Sequence, residues 1–173
     1  MRGSLRQTLA LVLLTLWIAL SAITLWWFQY RHISQFNDYW ASFNGSDLRQ
    51  IQLKPETGNA LVVHFIDANC PCSRFAKPHI NTLESNFSGT IDFKRFEDIS
   101  MKYSKVSVPA SPAVAIWDKQ GDLAYVGPYS GGNICGQGDD FTAMTLRALE
   151  QGSNPEWINN EAVGCFCQWP TTS

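Results

Sequence analysis

A nearly continuous apolar run, Leu61–Ile66, followed closely by a cysteine-containing turn, constrains this chain more than any other feature. A short apolar run of this kind predicts a buried strand. The turn reads Asn-Cys-Pro-Cys at residues 69–72, and a helix-like pattern begins directly after it. Two cysteines therefore lie where a strand passes into a helix N-terminus. Because free backbone N–H groups and the helix dipole stabilise negative charge there, we expect Cys70 to form a reactive thiolate.

The residues after the turn predict an alternation of helices and strands. Apolar residues spaced three or four apart predict a helix, and an alternating segment predicts a strand after it. Two apolar runs around a glycine turn predict a hairpin, and an aspartate caps a last helix. In order, these segments are Ala76–Phe87, Ile91–Phe96, Ala113–Trp117, Leu123–Val126 and a helix from Asp139 or Asp140 to Leu149.

The chain has five cysteines, and four of them form two Cys-x-Cys pairs. One pair, Cys70 and Cys72, lies at the strand–helix junction; the other, Cys165 and Cys167, lies near the C-terminus, with Cys135 between the pairs. The odd number leaves at least one thiol without an internal partner. Two close pairs favour redox or metal chemistry over a single structural disulfide with spare thiols.

The charge of the chain argues against a nucleic-acid partner. Its formal net charge is −2, and the residues after position 31 carry ten basic and fifteen acidic side chains. Proteins that bind nucleic acids normally present a basic face. We therefore expect no nucleic-acid partner, and the sequence indicates no bound cofactor.

The uncharged residues Leu9–Phe28 predict a membrane-spanning helix. Twenty helical residues extend ~30 Å, the thickness of the hydrocarbon core of a bilayer. Trp26 and Trp27 would lie at the membrane–water interface. Because Arg2 and Arg6 precede the run, the positive-inside rule places the N-terminus in the cytoplasm and the rest of the chain outside. We expect one span, with lipid contact through residues 9–28.

A cleaved signal peptide is the alternative interpretation of the same run. Ala19-Leu20-Ser21 is an acceptable small-x-small cleavage site. That site lies inside the apolar run, before the two tryptophans, so we favour an uncleaved anchor. With either interpretation the domain faces an oxidising compartment, in which disulfides persist.

We expect four segments along the chain. Residues 1–29 form a cytoplasmic stub and the anchor. Residues 30–57 form a stalk, in which aromatic and apolar residues spaced three or four apart predict one or two helical turns. Residues 58–152 form a domain around the cysteine turn. Residues 153–173 form a tail, and its aromatic residues predict that it packs on the domain.

The order of these elements and the residues of the turn resemble the thioredoxin family. Thioredoxins have an apolar strand, a Cys-x-x-Cys turn and a helix with a proline five residues after the second cysteine. Here Cys70 matches the attacking cysteine, Ser73 replaces the resolving cysteine and Pro78 matches the proline. His64 replaces a buried aspartate, so the resemblance implies a proton acceptor; a packed strand histidine is the alternative.

A second segment resembles the cis-proline loop of the same family. Ser111-Pro112 precedes an apolar strand, and Gly127 resembles the glycine of the next loop. The resemblance implies that Pro112 faces Cys70 and that Ser111, Pro112 and Gly127 border the surface that binds the substrate chain. It also implies a thioredoxin-like α/β fold, in which helices flank a central mixed sheet of about four strands, preceded by the transmembrane helix.

The chain as a whole resembles uncharacterised membrane-anchored thioredoxin-like proteins of Gram-negative bacteria. This resemblance implies an anchor in the bacterial inner membrane and a C-terminal domain in the periplasm. Its partners would then be protein thiols or disulfides of the periplasm.

Thiol–disulfide exchange is the first function that these features predict. Cys70 would attack a disulfide as thiolate and form a mixed disulfide, which a second thiol resolves. Ser73 cannot supply that thiol. A disulfide between Cys70 and Cys72 would close a very small ring, and we expect it to be strained and easily reduced. The candidate resolving or relay thiols are Cys72, Cys135, Cys165 and Cys167.

Two alternative functions remain open. The first is a module that binds or delivers copper or zinc, because soft thiolates select Cu(I) and Zn²⁺. The second is a redox-inactive interaction domain in which the cysteines form inert disulfides. The absence of a cysteine at Ser73 supports this second alternative.

Overall fold

The structure, a computed structural model, divides the chain into two units. The described residues are 2–30, 33–36, 38–39, 43, 45–55, 57–97, 106–132 and 139–169. One unit comprises Met1–Ile33 and the other Ser34–Ser173. All five cysteines belong to the second unit.

The first unit contains one long helix, α1, from Arg2 to Tyr30. Its stretch Arg6–Phe28 is long and apolar enough, by length and composition, to cross a membrane. At 1.5 Å per residue these residues extend about 35 Å, slightly more than a bilayer core requires. Its large apolar side chains are exposed, as expected of a helix whose surroundings would be lipid.

The described part of the second unit contains short strands and helices, and its first strand begins at Ile33, the last residue of the first unit. In chain order the strands are β1 (Ile33–Gln35), β2 (Ala60–Phe65), β3 (Ile91–Arg95), β4 (Ala110–Ser111), β5 (Ala113–Trp117), β6 (Leu123–Gly127), β7 (Trp157–Ile158), β8 (Val163–Cys165) and β9 (Cys167–Gln168). Among the described residues, the helices of this unit are α2 (Ser46–Arg49), α3 (Pro71–Asn86) and α4 (Phe141–Glu150).

A mixed five-stranded sheet, in the order β3–β2–β5–β6–β7, forms the centre of this unit. β2 is parallel to β3 and antiparallel to β5, β5 is antiparallel to β6, and β6 is parallel to β7. The sheet has one strand more than the four expected. The additional strand, β7, comes from the tail, and its two residues are too few to show an alternating pattern.

Both faces of the sheet are covered, which explains why every residue of β2, β5 and β6 is buried. On one face, α3 and α4 pack through residues such as Ala76, Leu83 and Leu146. The helix α3 continues through Pro78. Asp140 caps α4 by accepting a hydrogen bond from the Ala143 N–H at 2.8 Å.

The opposite face is covered by the segment before β2 and by the C-terminal tail. Phe36, Phe43, Leu48 and Leu53 of the first segment are buried there. The helical turns predicted near the start of this segment are partly wrong, because residues 33–35 form a strand that pairs with β8. A partner strand so distant in sequence overrides the local helical spacing.

The tail is held on the domain by packing as well as by its cysteines. Phe166 is 2% exposed, and its ring lies 5.5 Å from that of Phe36. The ring of Trp169 lies 5.4 Å from Phe65 and 5.5 Å from Phe96. These contacts place the tail aromatics in the same apolar cluster as the inner residues of the sheet.

Replacement of Phe166, which packs the tail on the domain, should destabilise the whole second unit. We expect Phe166→Ala to lower the free energy of unfolding by about 3–5 kcal/mol, because it removes a buried ring and leaves a cavity. Denaturant titration of the full chain in detergent, with disulfides intact, measures the change. Met144→Ala is the matched control, because Met144 is 55% exposed on α4. An equal, small effect of both changes would show that Phe166 does not anchor the tail.

Candidate functional site

The cysteine turn connects the end of β2 to the start of α3. Asp67 shapes it, because its carbonyl accepts the Cys70 N–H at 3.2 Å and its carboxylate accepts the Asn69 N–H at 2.9 Å. Cys70 is the N-cap residue of α3 and has an extended backbone conformation. Pro71 occupies the first helical position, where a missing N–H costs nothing.

The four paired cysteines form two disulfides between the turn and the tail. Cys70 is bonded to Cys167, and Cys72 is bonded to Cys165, with Cα–Cα distances of 5.9 and 5.6 Å. The Cys70–Cys72 disulfide considered from the sequence is therefore not the one formed. In an extended chain, residues two apart point to the same side, so both tail cysteines face the start of α3.

The sulfur atoms of this four-cysteine cluster lie close enough to exchange partners. The Sγ atoms of Cys70, Cys72 and Cys167 all lie within 4.8 Å of one another. Cys70 is 4% exposed and Cys72 is fully buried. Cys165 and Cys167 are partly exposed. The cluster is therefore buried on the side of the helix and open on the side of the tail.

Ser111 connects the cysteine turn, the proline segment and the tail. Its peptide bond to Pro112 is cis, and both residues are buried. Its hydroxyl accepts the Asp67 N–H at 2.9 Å, and its carbonyl oxygen lies 3.6 Å from Cys70 Sγ. In the antiparallel pair β4–β9, Ser111 lies opposite Cys167. Ser111, the residue before Pro112, is thereby placed beside the Cys70–Cys167 disulfide.

Ser73 lies at the same junction. Its side chain is buried, and its Oγ lies 3.4 Å from the Oγ of Ser111. Its backbone N–H donates to the Cys70 carbonyl at 3.1 Å. The hydroxyl therefore contacts the proline segment from the position at which the resemblance would place a resolving thiol.

Gly127 lies at the end of β6, opposite Val114 of β5. A Cβ atom there would lie 2.7 Å from the Tyr125 hydroxyl oxygen and 2.8 Å from the Asn159 carbonyl oxygen. These contacts are too short for any residue other than glycine without movement of the backbone. A steric requirement of the sheet thus accounts for glycine at this position.

His64 lies on the helix-covered face of the sheet and is 2% exposed. Its ring is nearly parallel to those of Phe93 and Tyr129, with centroids 5.7 and 5.8 Å away, and Nδ1 lies 2.6 Å from the Tyr129 hydroxyl. Nε2 lies 3.4 Å from a carboxylate oxygen of Glu84. Burial, assisted by the charge of Arg95, lowers the pKa of His64 to about 4. The imidazole is therefore neutral at pH 7.

Sequence reasoning brought most of these residues to attention but missed some of their partners. Tyr129 and Glu84, which approach the two nitrogens of His64, were not singled out. The signal for Tyr129 was its position directly after Gly127-Pro128. No sequence signal indicated Glu84, because a glutamate on an amphipathic helix is normally solvated. Cys135, the remaining candidate thiol, lies outside the described residues.

Solved structures that are similar to this chain share little of its sequence. A hypothetical protein from Sinorhizobium meliloti 1021 shares the fold, with 15% identity and a TM-score of 0.50 over 67% of this chain and 81% of that one. An uncharacterized conserved protein from Geobacillus kaustophilus has 15% identity and a TM-score of 0.48 over 67% and 80%. The NTD_N/C domain of alkylhydroperoxide reductase AhpF from Enterococcus faecalis has 15% identity and a TM-score of 0.35 over 63% and 49%.

A family model matches most of the chain. No curated protein matches the chain. Residues 40–169 match the model of a family described as a domain of unknown function, DUF6436. The matched range includes the cysteine turn, the proline segment and both tail cysteines. The chain therefore belongs to the DUF6436 family.

Proposed function

We propose that this chain is a membrane-anchored thiol–disulfide oxidoreductase with a thioredoxin-like fold, and that the four-cysteine cluster is its redox centre. The observation that carries the proposal is the covalent pairing of Cys70, at the start of α3, with Cys167 beside Ser111. The order of elements supports it. A β2–α3–β3 parallel unit, a β5–β6 hairpin and α4 follow one another as the thioredoxin resemblance implies.

The chemistry needs only the sulfur atoms at the cluster. A substrate dithiol attacks one disulfide through a thiolate, which forms a mixed disulfide and releases one protein thiolate. The second substrate thiolate then displaces the protein from the mixed disulfide. The substrate leaves with a disulfide, the protein keeps two thiols, and the two electrons have passed to the protein. The reverse sequence reduces a substrate disulfide.

The position of the second unit in the cell follows from α1 and its charges. Arg2 and Arg6 precede the apolar stretch, so we place the N-terminus in the cytoplasm. The second unit would then lie in the periplasm of a Gram-negative bacterium, where disulfides persist. Its partners would be protein thiols or disulfides of that compartment.

Metal binding is the second candidate, and the proximity of the sulfurs favours it. The Sγ atoms of Cys70, Cys72 and Cys167 lie within 4.8 Å of one another, and Cys165, which is bonded to Cys72, supplies a fourth sulfur. Once both disulfides are reduced, these sulfurs resemble a set of four ligands. Four thiolates suit tetrahedral Zn²⁺, and soft Cu(I) also prefers sulfur. The oxidised cluster offers no thiolate, so this function requires the reduced protein.

His64 has the contacts of a packed strand histidine. Its ring is buried next to Phe93 and Tyr129, and its lowered pKa leaves it neutral over the physiological range. The tail aromatics, in contrast, belong to the apolar cluster on the other face of the sheet. We therefore assign His64 a structural role in the apolar cluster under α3, in preference to proton transfer at the cysteines.

The exchange function predicts reversible opening of the cluster. We expect the full chain in detergent to catalyse oxidation of a dithiol peptide. We expect Cys70→Ser to lower the rate by roughly 100-fold or more, because the substituted oxygen cannot form a disulfide. Acid quenching, alkylation and mass mapping in glutathione buffers measure which disulfides open. Met144→Ala is the matched control and should retain the wild-type rate.

Two inert disulfides would contradict this function. They would stay closed in the folded protein at reductant concentrations that open them in urea, and dithiol oxidation would not exceed the uncatalysed rate. The redox-inactive interaction domain would then be the better description.

The metal candidate predicts stoichiometric binding by the reduced protein alone. We expect the anaerobic, reduced full chain to bind one Zn²⁺ or Cu(I), and the Cys165→Ser/Cys167→Ser variant to bind about 100-fold more weakly, because it loses two of four ligands. Competition with a chromophoric chelator measures the affinity. Equal affinity in the variant, or no binding by the reduced wild type, would eliminate this candidate.

The buried histidine predicts a specific loss of stability in acid. The pKa of His64 is about 4 in the folded protein against 6.5 in the unfolded chain. Between these values the unfolded chain binds more protons, so the free energy of unfolding falls as the pH falls, by about 3 kcal/mol in total. The contribution is fully present above pH 6.5 and is lost as the pH falls through 4.

Denaturant titrations between pH 7.5 and 3.5 measure this loss. His64→Asn is the comparison, because it removes the titrating group and leaves all carboxylates. We expect the difference in unfolding free energy between wild type and variant to shrink as the pH falls. A difference that stays constant over this range would show that His64 does not titrate as its burial requires.

A further inference from the structure

The two sulfurs of the Cys70–Cys167 disulfide differ in accessibility. Cys70 is 4% exposed and lies between the start of α3 and Ser111, whose carbonyl oxygen is 3.6 Å from its Sγ. Cys167 is partly exposed in β9, and its neighbour Gln168 is exposed. A thiolate attacks one sulfur of a disulfide along the line of the S–S bond, and the other sulfur leaves. The accessible target is therefore in the tail.

The same two sulfurs differ as leaving groups. Cys70 is the N-cap residue of α3, a helix of 16 residues. The dipole at its N-terminus stabilises a thiolate released there, and a better-stabilised thiolate leaves faster. Cys167 lies in a two-residue strand and caps none of the described helices. Accessibility and leaving-group stability thus favour the same direction of attack.

We infer that Cys167 is the sulfur that an incoming thiolate attacks and that Cys70 is the leaving group, an inference that rests on the proposed exchange function. The substrate thiolate bonds to Cys167 Sγ, the bond between Cys167 and Cys70 breaks, and Cys70 takes the electron pair as thiolate. A second thiolate of the same substrate then displaces Cys167. This assignment reverses the roles that the resemblance implied, in which Cys70 is the reactive site for partners.

The second disulfide is a poorer target for the same substrate. Attack at Cys165 would expel Cys72, which is fully buried, and a charge released there would be desolvated. Its position nevertheless suits a later step. Cys70 Sγ lies within 4.8 Å of Cys72 Sγ, so the Cys70 thiolate can attack Cys72 and release Cys165. That exchange moves the oxidised pair to Cys70–Cys72 without net oxidation or reduction.

This assignment requires that the tail stay packed on the domain after the disulfide opens, and contacts other than the disulfide hold it there. Phe166 lies between the two tail cysteines and is buried, and the Trp169 N–H donates to the Pro109 carbonyl at 3.1 Å. The Tyr39 hydroxyl donates to the Phe166 carbonyl at 3.2 Å. After the disulfide opens, these contacts keep Cys167 at the surface and opposite Cys70.

Mass mapping of the first adduct tests the assignment on the unmodified protein. The oxidised full chain in detergent is mixed with reduced glutathione, quenched with acid at short times and digested, and the glutathione adducts are located. Extrapolated to zero time, the adduct at Cys167 should exceed that at Cys70 by about tenfold or more, since the buried sulfur is shielded. In urea both sulfurs are exposed, and the preference should disappear.

The possible outcomes distinguish failure of the Cys167 assignment from failure of the exchange function. An early adduct mainly on Cys70, Cys72 or Cys165 overturns the assignment but leaves the exchange function intact. The same preference for Cys167 in urea also overturns it, because local sequence would then set the preference in place of burial. Disulfides that neither form adducts nor open in the folded protein overturn both the assignment and the proposed function.

A variant with a single disulfide removes ambiguity from later exchange. Cys72→Ser/Cys165→Ser/Cys135→Ser retains only the Cys70–Cys167 bond, so an adduct cannot migrate to another pair. The preference for Cys167 should persist in this variant. If it folds poorly, the zero-time measurement on the wild type still decides the assignment.

Discussion

The packing of the tail aromatics against the sheet is the interaction on which the four-cysteine cluster depends. Phe166 and Trp169 enter the apolar cluster formed by Phe36, Phe65 and Phe96. This packing fixes β8 and β9 against the domain, and Cys165 and Cys167 are thereby held opposite the start of α3. The disulfides lock an arrangement that burial of apolar surface already favours.

Ser111 then joins three segments that are distant in sequence. Its hydroxyl binds the turn after β2, its carbonyl contacts Cys70, and its strand pairs with the tail. A cysteine cluster built in this way differs from one contained in a single turn. The turn supplies buried sulfurs at the start of a helix, and the tail supplies accessible sulfurs. Two complementary properties thus come from two parts of the chain.

Local patterns predicted the elements with strong periodicity and missed those made by pairing. The β2 strand, the α3 helix and the β5–β6 hairpin have continuous or regularly spaced apolar residues, and Asp140 is a capping residue. β1 and β7 have two or three residues each and exist because a distant strand pairs with them. The pairing of cysteines likewise could not be predicted, since four cysteines allow three connectivities.

The candidate functional residues likewise divide into features with a local motif and features that depend on distant segments. Cys70, Ser73, Ser111 and Pro112 were recognisable from their local motifs, because a strand–helix junction and a proline loop leave clear traces in sequence. Which sulfur is accessible and which is buried depends on what covers each one. Ser111 lies 41 positions from Cys70, and the bonded partners of Cys70 and Cys72 lie 97 and 93 positions away, so no local pattern reports the accessibility.

By itself, the sequence determined a long apolar helix, an α/β unit and a cysteine turn at a helix start, because each of these depends on neighbouring residues. The tertiary structure decided that the tail contributes a sheet strand, that each turn cysteine pairs with a tail cysteine, and that the tail holds the accessible sulfurs. Those features arise from burial and strand pairing between distant segments, which only the folded chain brings together.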